Sequence, residues 1–280
     1  MPLYTASLNS GSNGNCYYIG NEKEAVLVDV GISCRETERR MRRLALSMKK
    51  VKAIFVTHEH SDHINGVPML SKKYQLPVYI TPLTLSNSSA RIKKELVREF
   101  KPNEAIAIGS LTIIAHPKFH DAVDPHNFIV TDGSVRIGVF TDIGHVCANV
   151  VDQFKGCHAA FLESNYDDKM LDEGGYPLHL KNRIRNGKGH LSNVQAAQLF
   201  MDHAPSCMSH LFLSHLSRHN NKPEIAQSLF KQIANGTEIV IASRYVETEL
   251  YAIENTAELI NRSVNKVPLR RFSSQLSLFQ

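Results

Sequence analysis

Four side chains of metal-binding type fall within six positions of the stretch VTHEHSDHINGV: His58, His60, Asp62 and His63. They follow an apolar run that closes at Thr57, and the loop after a strand is where a rigid scaffold presents chemistry. His58 and His60 alternate with Glu59, so both can face one metal. Asp62 and His63 come one turn later and can face a second. Neutral imidazole and carboxylate together suit zinc, manganese or iron. The spacing H-x-H-x-D-H is too specific for a surface loop that is merely rich in histidine.

A second stretch, GKGHLSN, sets Gly187 and Gly189 before His190. The glycines free the backbone ahead of the histidine, and a helix is expected to open just beyond it, with Ser192 or Asn193 as N-cap. A helix N-terminus offers unpaired N–H groups to an anion, and a histidine there can give a proton to a leaving phosphate oxygen. The plainer alternative is a capping turn with a solvent-facing histidine. Lys181, Arg183, Arg185 and Lys188 run just before it, either as a solvated helix face or as a phosphate track with salt-sensitive binding.

The elements that must position these groups read as mixed strands and helices. Strands are expected at 3–8, 16–20, 25–31, 52–57, 78–81, 105–108, 111–116, 126–131, 135–141, 159–164, 209–215 and 237–243, from their short apolar runs. Helices are expected at 33–46, 67–74, 85–100, 176–186, 192–203 and 222–234, the last opened by Pro223. No short fixed repeat is present, but both halves have strands that run into His- or Asp-bearing loops. This mixture implies a layered α/β architecture with sheets inside and helices outside. Beyond about residue 255 the pattern fades into polar sequence. The expected organisation is therefore one domain over 1–255 and a flexible tail over 256–280.

The chain has 280 residues, 42% hydrophobic and 21% charged, enough to bury a large core without staples. No run approaches the length of a membrane span, and the start lacks the pattern of a secretion signal. Five scattered cysteines without a C-x-x-C pair suit a reducing compartment, so a cytoplasmic protein is expected. A net charge of +5 permits an anionic partner without requiring one.

With these residues in view, the chain resembles the metallo-β-lactamase fold, an αββα sandwich, over nearly all of 1–255. The resemblance adds Asp29 in VLVDVG as a supporting hydrogen-bond acceptor, Asp142 in GVFTDIG, His215 in LFLSHLS, and one lone histidine. His120 in FHDAVDP fits that last place better than His116 or His126. It then implies two divalent metal ions: one held by His58, His60 and His120, the other by Asp62, His63 and His215, with Asp142 bridging. In this fold the loop 10–15, otherwise a tight turn, can lie beneath the metals, so that Ser12, Asn13 and Asn15 orient ligands or phosphate.

The words SGSNGNCYYI, HDAVDP, ESNYD, GHLSN and HLSRHNN further resemble the WalJ/YycJ-type metallohydrolases, related to a 5′-to-3′ DNA exonuclease of mismatch repair. That resemblance implies a two-metal phosphodiesterase on DNA, with Asp62 and Asp142 positioning metals and water and His190 assisting the leaving group. Lys188, Ser192, Asn193 and His219 become candidate substrate contacts. Tyr166 stands where many relatives carry histidine. An RNA-processing endonuclease, a cyclic phosphodiesterase and a non-catalytic clamp-binding adapter are the competing readings. The intact ligand set argues against the adapter.

The tail ends in Gln275-Leu276-Ser277-Leu278-Phe279-Gln280. Gln275 to Phe279 resemble the peptides by which bacterial repair proteins bind the sliding clamp. Leu278 and Phe279 would fill an apolar pocket, with Leu276 beside them and Gln275 giving a directed hydrogen bond. The polar stretch before them would serve as tether.

Overall fold

A computed structural model describes residues 1–255. The motif at Gln275, Leu276, Leu278 and Phe279 lies outside the described residues. In chain order the elements are β1 (Leu3–Asn9), β2 (Cys16–Gly20), β3 (Ala25–Val28), α1 (Cys34–Arg43), β4 (Val51–Phe55), α2 (Ser61–Ile64), α3 (Val67–Tyr74), β5 (Val78–Tyr79), α4 (Pro82–Asn87) and β6 (Val97–Arg98). There follow β7 (Ala105–Ile108), β8 (Leu111–Pro117), β9 (His126–Thr131), β10 (Arg136–Phe140), α5 (Ala148–Phe154), β11 (Ala159–Glu163), α6 (Asp168–Glu173), α7 (Leu178–Arg185), α8 (Asn193–His203), β12 (His210–Ser214), α9 (Pro223–Ile233), β13 (Glu238–Ile241) and β14 (Tyr251–Ile253).

Two seven-stranded sheets stack face to face, in the orders β14-β1-β2-β3-β4-β5-β6 and β13-β12-β11-β10-β9-β8-β7. In each sheet an antiparallel part leads into four parallel strands: β3 to β6 in the first, β10 to β13 in the second. Fully buried strands on both sheets read as continuous apolar runs, as parallel strands covered on both faces must. Tyr17, Val28 and Phe55 from one sheet meet Phe128, Phe161 and Phe212 from the other in the central core. Two outer cores complete four layers: α1 and α3 cover the first sheet, and α5, α8 and α9 the second. This is the αββα sandwich that the resemblance implied.

The helix expected over 85–100 does not form. It stops at Asn87, and the chain crosses to a single 3₁₀ turn at Lys94–Leu96 and then to β6. The side chains of Ser86, Asn87 and Ser88 bond back to the carbonyls of Leu83 and Leu85, competing with helix propagation. Val97 then pairs with Val78 as an edge strand. Helices α2, α5 and α6 and strand β14 are not among the elements expected from the sequence. Strand β14 pairs antiparallel with β1, Leu3 opposite Ile253, which closes the described chain onto the first sheet.

Phe161 lies between the sheets, 4.7 Å from the ring of Tyr17 and 4.6 Å from that of Phe212. Phe161→Ala is expected to lower the unfolding free energy by about 3–5 kcal/mol. Urea denaturation followed by circular dichroism measures this; a loss below about 1 kcal/mol would show that the sheets do not depend on this contact.

Candidate metal centre

The site lies at one end of the sandwich, where the parallel strands of both sheets finish. Asp29 follows β3, His58 lies three residues past β4, Asp142 two past β10, and His215 directly past β12. Asp29, Asp142 and His215 have positive φ, at 58°, 53° and 55°. The left-handed turn breaks each strand sharply and swings the side chain into the space between the sheet ends. Non-glycine residues hold that conformation at a cost and mark sites where the surroundings enforce it.

The loop after β4 packs under this roof because residue 31 is glycine. A Cβ there would sit 1.7 Å from the Asp62 carbonyl oxygen. His60 stands at the N-cap position of the single turn of α2, its carbonyl accepting from the His63 N–H, and that turn carries Asp62 and His63. The side chains gather into groups. His58, His60 and His120 form one: His60 Nδ1 is 3.0 Å from His58 Nε2 and 3.3 Å from His120 Nε2. Asp62, His63 and His215 form the second, with Asp62 Oδ2 3.6 Å from His63 Nε2 and 3.5 Å from His215 Nε2. The carboxylate of Asp142 reaches both, 3.8 Å from His120 Nε2 and 3.1 Å from His63 Nε2.

Hydrogen bonds from behind fix which nitrogen of each ring points inward. Asp29 accepts from the backbone N–H and the hydroxyl of Thr57, both at 2.8 Å, and pairs with His63 Nδ1 at 2.7 Å. Because the Thr57 hydroxyl donates to Asp29, it accepts from His58 Nδ1 at 2.9 Å, leaving His58 Nε2 as a bare lone pair. His120 Nδ1 donates to the Gly189 carbonyl at 2.9 Å, which does the same for its Nε2. Burial holds His58 well below the usual histidine range and, with help from Lys118, holds His120 at about 4, so both stay neutral. Burial also opposes charge on His63 and His215. There, however, the carboxylates win: Asp142, Asp29 and Asp62 keep His63 well up, and Asp142, Asp62 and Glu163 bring His215 to about 10.

Nothing in the sequence pattern marks Glu163 as part of the site, although it opens the word ESNYD. It is fully buried at the end of β11. Its Oε1 faces His190 Nδ1 at 2.8 Å and His215 Nδ1 at 3.0 Å; its Oε2 accepts from the N–H groups of Ile143 and Leu191. Burial pushes its pKa up, but His190 and His215 bring it down to about 2, so it is ionised. Its oxygens are engaged by these four partners, which suits it to positioning the histidines, and it also stands with Asp142, His190 and His215 in a further group of metal-binding side chains. Lys118 is also buried and gives its ammonium group to the Thr141 carbonyl beside Asp142.

His190 lines a cleft of about 240 Å³ beside the two groups, with Ser12, Asn165, Tyr176, Arg183 and His215. Gly187 adopts φ 81°, and a Cβ on Gly189 would sit 2.2 Å from the Ile184 carbonyl, so the GKGH backbone needs both glycines. Other sequence expectations fall differently. Ser192 and Asn193 are buried away from the cleft. Ser192 closes a capping box with Gln195, and Asn193 bonds Ser164 and Asn221, so the start of α8 has no open anion site. Asn15 is buried too, and its amide lies 3.0 Å from His63 Nε2 and 3.4 Å from Asp62 Oδ2, where it orients those side chains. Asn13 turns to Arg244. Lys181, Arg183 and Arg185 are tied to Asp172 or Asp121, while Lys188 is exposed. His219 is exposed at the rim, its ring 6.0 Å from that of Tyr176. Tyr166 is buried and bridges to Ser192. His116 bonds Asn103 and His126 bonds the Asp124 carbonyl, so neither joins the groups around Asp142.

Residues 24–215 match the model of the β-lactamase superfamily domain. Exodeoxyribonuclease YycJ of Bacillus anthracis is 34% identical over 236 residues, 83% of this chain and 89% of that protein. The chain belongs to the YycJ/WalJ family of the metallo-β-lactamase fold. Exodeoxyribonuclease WalJ of Streptococcus pneumoniae is 30% identical over 233 residues, 81% of this chain and 87% of that one. The crystal structure of the metallo-β-lactamase fold protein YhfI from Bacillus subtilis superposes with a TM-score of 0.67 at 17% identity, over 89% of this chain and 99% of that one.

A YycJ/WalJ-family member is a metal-dependent hydrolase, and its fold implies divalent metal ions. The donor set fits them. Asp142 Oδ2 and His215 Nε2 are buried and make no well-formed hydrogen bond, their nearest charged neighbours being His63 Nε2 at 3.1 Å and Asp62 Oδ2 at 3.5 Å, a condition that proteins avoid unless something else satisfies those atoms. The negative charge that raises the pKa values of His63 and His215 attracts a cation equally. Asp29→Asn keeps the shape but removes charge behind His63, and is expected to weaken metal affinity about 10–100-fold. Calorimetric titration of chelator-treated protein with zinc and manganese measures it; wild-type affinity would exclude Asp29 as the support of this site.

Proposed function

We propose that this chain is a metal-dependent phosphodiesterase acting on DNA, a 5′-to-3′ exonuclease serving mismatch repair in the cytoplasm. The observation that carries it is His190, held by Glu163 in the cleft beside two ligand groups that the Asp142 carboxylate approaches from between, 3.8 Å from His120 and 3.1 Å from His63. The family relatives named exodeoxyribonuclease, matched along most of the chain, support DNA as substrate.

In this reading His58, His60 and His120 hold one ion, Asp62, His63 and His215 the other, and Asp142 serves both. When bound, two divalent ions supply Lewis-acid charge to a phosphodiester and lower the pKa of water. The chain's own residues do the rest. Asp62 and Asp142 orient the attacking water. His190 has its Nδ1 committed to Glu163, so Nε2 is the nitrogen left to hold a proton against the leaving oxygen. Arg183 in the cleft wall has its Nε paired with Asp121 and keeps its other guanidinium N–H groups for a neighbouring phosphate, and Lys188 and His219 stand outside the cleft.

The test is release of nucleotides from 5′-labelled DNA over a series of divalent metals, with structured RNA and small cyclic phosphodiesters in parallel. Asp62→Ala is expected to abolish release and His190→Ala to slow it about 10²–10⁴-fold. Full activity in Asp62→Ala, or a wild-type protein that cuts only RNA or small diesters, would overturn the DNA reading.

Recruitment by the sliding clamp is the finer part of the same proposal, carried by Gln275, Leu276, Leu278 and Phe279 in sequence. A chain lacking residues 275–280 is expected to lose retention on immobilised clamp protein. Retention equal to that of the full chain would refute this role for the tail.

A further inference from the structure

Phe119 and Tyr245 are the phenylalanine and tyrosine side chains that stand exposed among the described residues, at 50% and 69%. Phe119 stands beside the metal centre, and Tyr245 lines a hollow that adjoins its cleft. Phe119 directly precedes His120. Its ring stacks on that of His145, with centroids 4.3 Å apart and planes 29° from parallel. Phe119 is thus backed by an imidazole while the residue stays half exposed.

The pair is built in rather than loosely attached. The Phe119 carbonyl accepts from the Gly144 N–H at 2.6 Å, and His145 Nδ1 bonds the Gly187 carbonyl at 2.8 Å. The three segments involved are the ones that carry His120, Asp142 and His190. The platform therefore keeps a fixed position relative to the site.

Tyr245 stands by a second approach. The cleft of the metal centre meets a hollow of about 110 Å³ at Ser217, lined also by Arg218, Arg244 and Tyr245. Arg244 Nη2 is 3.3 Å from the hydroxyl of Ser12, which lines the cleft. Its Nη1 is buried with no partner among the described residues. Two guanidinium groups and an exposed aromatic ring therefore border the hollow beside the cleft, and a backed aromatic ring stands next to His120.

We propose that the site takes a single DNA strand, with a base on one side of the scissile phosphate stacked on Phe119 and a base on the other side stacked on Tyr245. Arg218 and Arg244 hold the phosphate beside Tyr245. This rests on the DNA reading above. Every base has a π-face, so such platforms bind without sequence preference, and basic groups track the backbone between them. Bases inside a duplex are stacked on each other and cannot lie on a protein ring, so the two rings select an unpaired strand.

The experiment uses the metal-loaded full chain and oligothymidylate with phosphorothioate linkages, which resist cleavage. One 2-aminopurine is placed at successive positions. Anisotropy reads affinity, and 2-aminopurine quenching reads stacking. The wild type is expected to bind the single strand in preference to a blunt duplex of the same length, with quenching at two separated positions. Phe119→Leu and Tyr245→Leu, which keep apolar bulk without a ring, should each weaken binding about tenfold and abolish one quenching position. Phe119→Tyr and Tyr245→Phe should restore both signals. Equal metal content across the variants shows that the site is intact. Wild-type affinity and quenching in both leucine variants would overturn the platforms while leaving the DNA reading in place. A wild type that hydrolyses bis(p-nitrophenyl) phosphate but binds neither strand nor duplex would overturn the DNA reading, and the platforms with it.

Discussion

The site depends on two carboxylates that never see water. Asp29 and Glu163 each follow or end an inner parallel strand, one in each sheet, and each is completely buried. An ionised carboxylate in such a place costs several kcal/mol unless its lone pairs are met by donors. Here they are. Asp29 takes the Thr57 backbone and hydroxyl and His63; Glu163 takes two histidines and two backbone N–H groups. What the protein gains is direction. Each bond settles an imidazole's tautomer or rotamer, and through Thr57 the influence of Asp29 extends to His58 as well.

The backbone provides the complementary constraint. Asp29, Asp142 and His215 leave their strands through left-handed turns that cost a β-branched or bulky residue a kilocalorie per mole or more. Such turns persist because the strand ends on either side are locked into parallel ladders and the side chains are pinned by partners. His215 shows this well: its N–H donates to the Ser10 hydroxyl, its carbonyl accepts from Asn165, and its ring faces Glu163 and Asp142. The first sheet's loop 10–15 and the second sheet's β12 meet at that residue, so the two halves set the position of the same histidine.

This explains what could be read in the sequence. His58, His60, Asp62 and His63 are legible because four ligands share one short loop, and Asp142 and His215 because each closes an apolar strand. His120 could be separated from His116 and His126 only by resemblance. The structure gives the physical distinction: the other two already have local partners in Asn103 and Asp124. Glu163 was illegible because a glutamate at the end of a buried run looks like any strand exit; its role exists only when β10, β11 and β12 lie side by side. Ser192 and Asn193 misled for the opposite reason. A capping signal is local and strong, but whether a helix start is open to an anion depends on what packs over it. The missing helix over 85–100 has the same origin, since local propensity was overridden by pairing with β5 and by serine and asparagine bonds to the backbone.

Charge is arranged in two shells of opposite sign. Asp29, Asp62, Asp142 and Glu163 converge inside; burial opposes the ionisation of Asp62, Asp142 and Glu163, and histidine partners keep Asp62 and Glu163 at about 2. Among the described residues Lys118 is the one lysine buried beside them, and its charge is given to a carbonyl. Outside, Arg183, Lys188, Arg218 and Arg244 form the rim. The inner shell suits small cations, because carboxylates gathered among buried histidine nitrogens call for a concentrated positive charge between them. The outer shell suits an extended polyanion, because its guanidinium groups are spread along the approaches. A phosphodiester finds complementary charge throughout only when both shells are satisfied. A negatively charged centre behind a positive rim is thus consistent with a polyanionic substrate: the inner carboxylates are screened by what they bind, and the rim addresses the phosphates on either side.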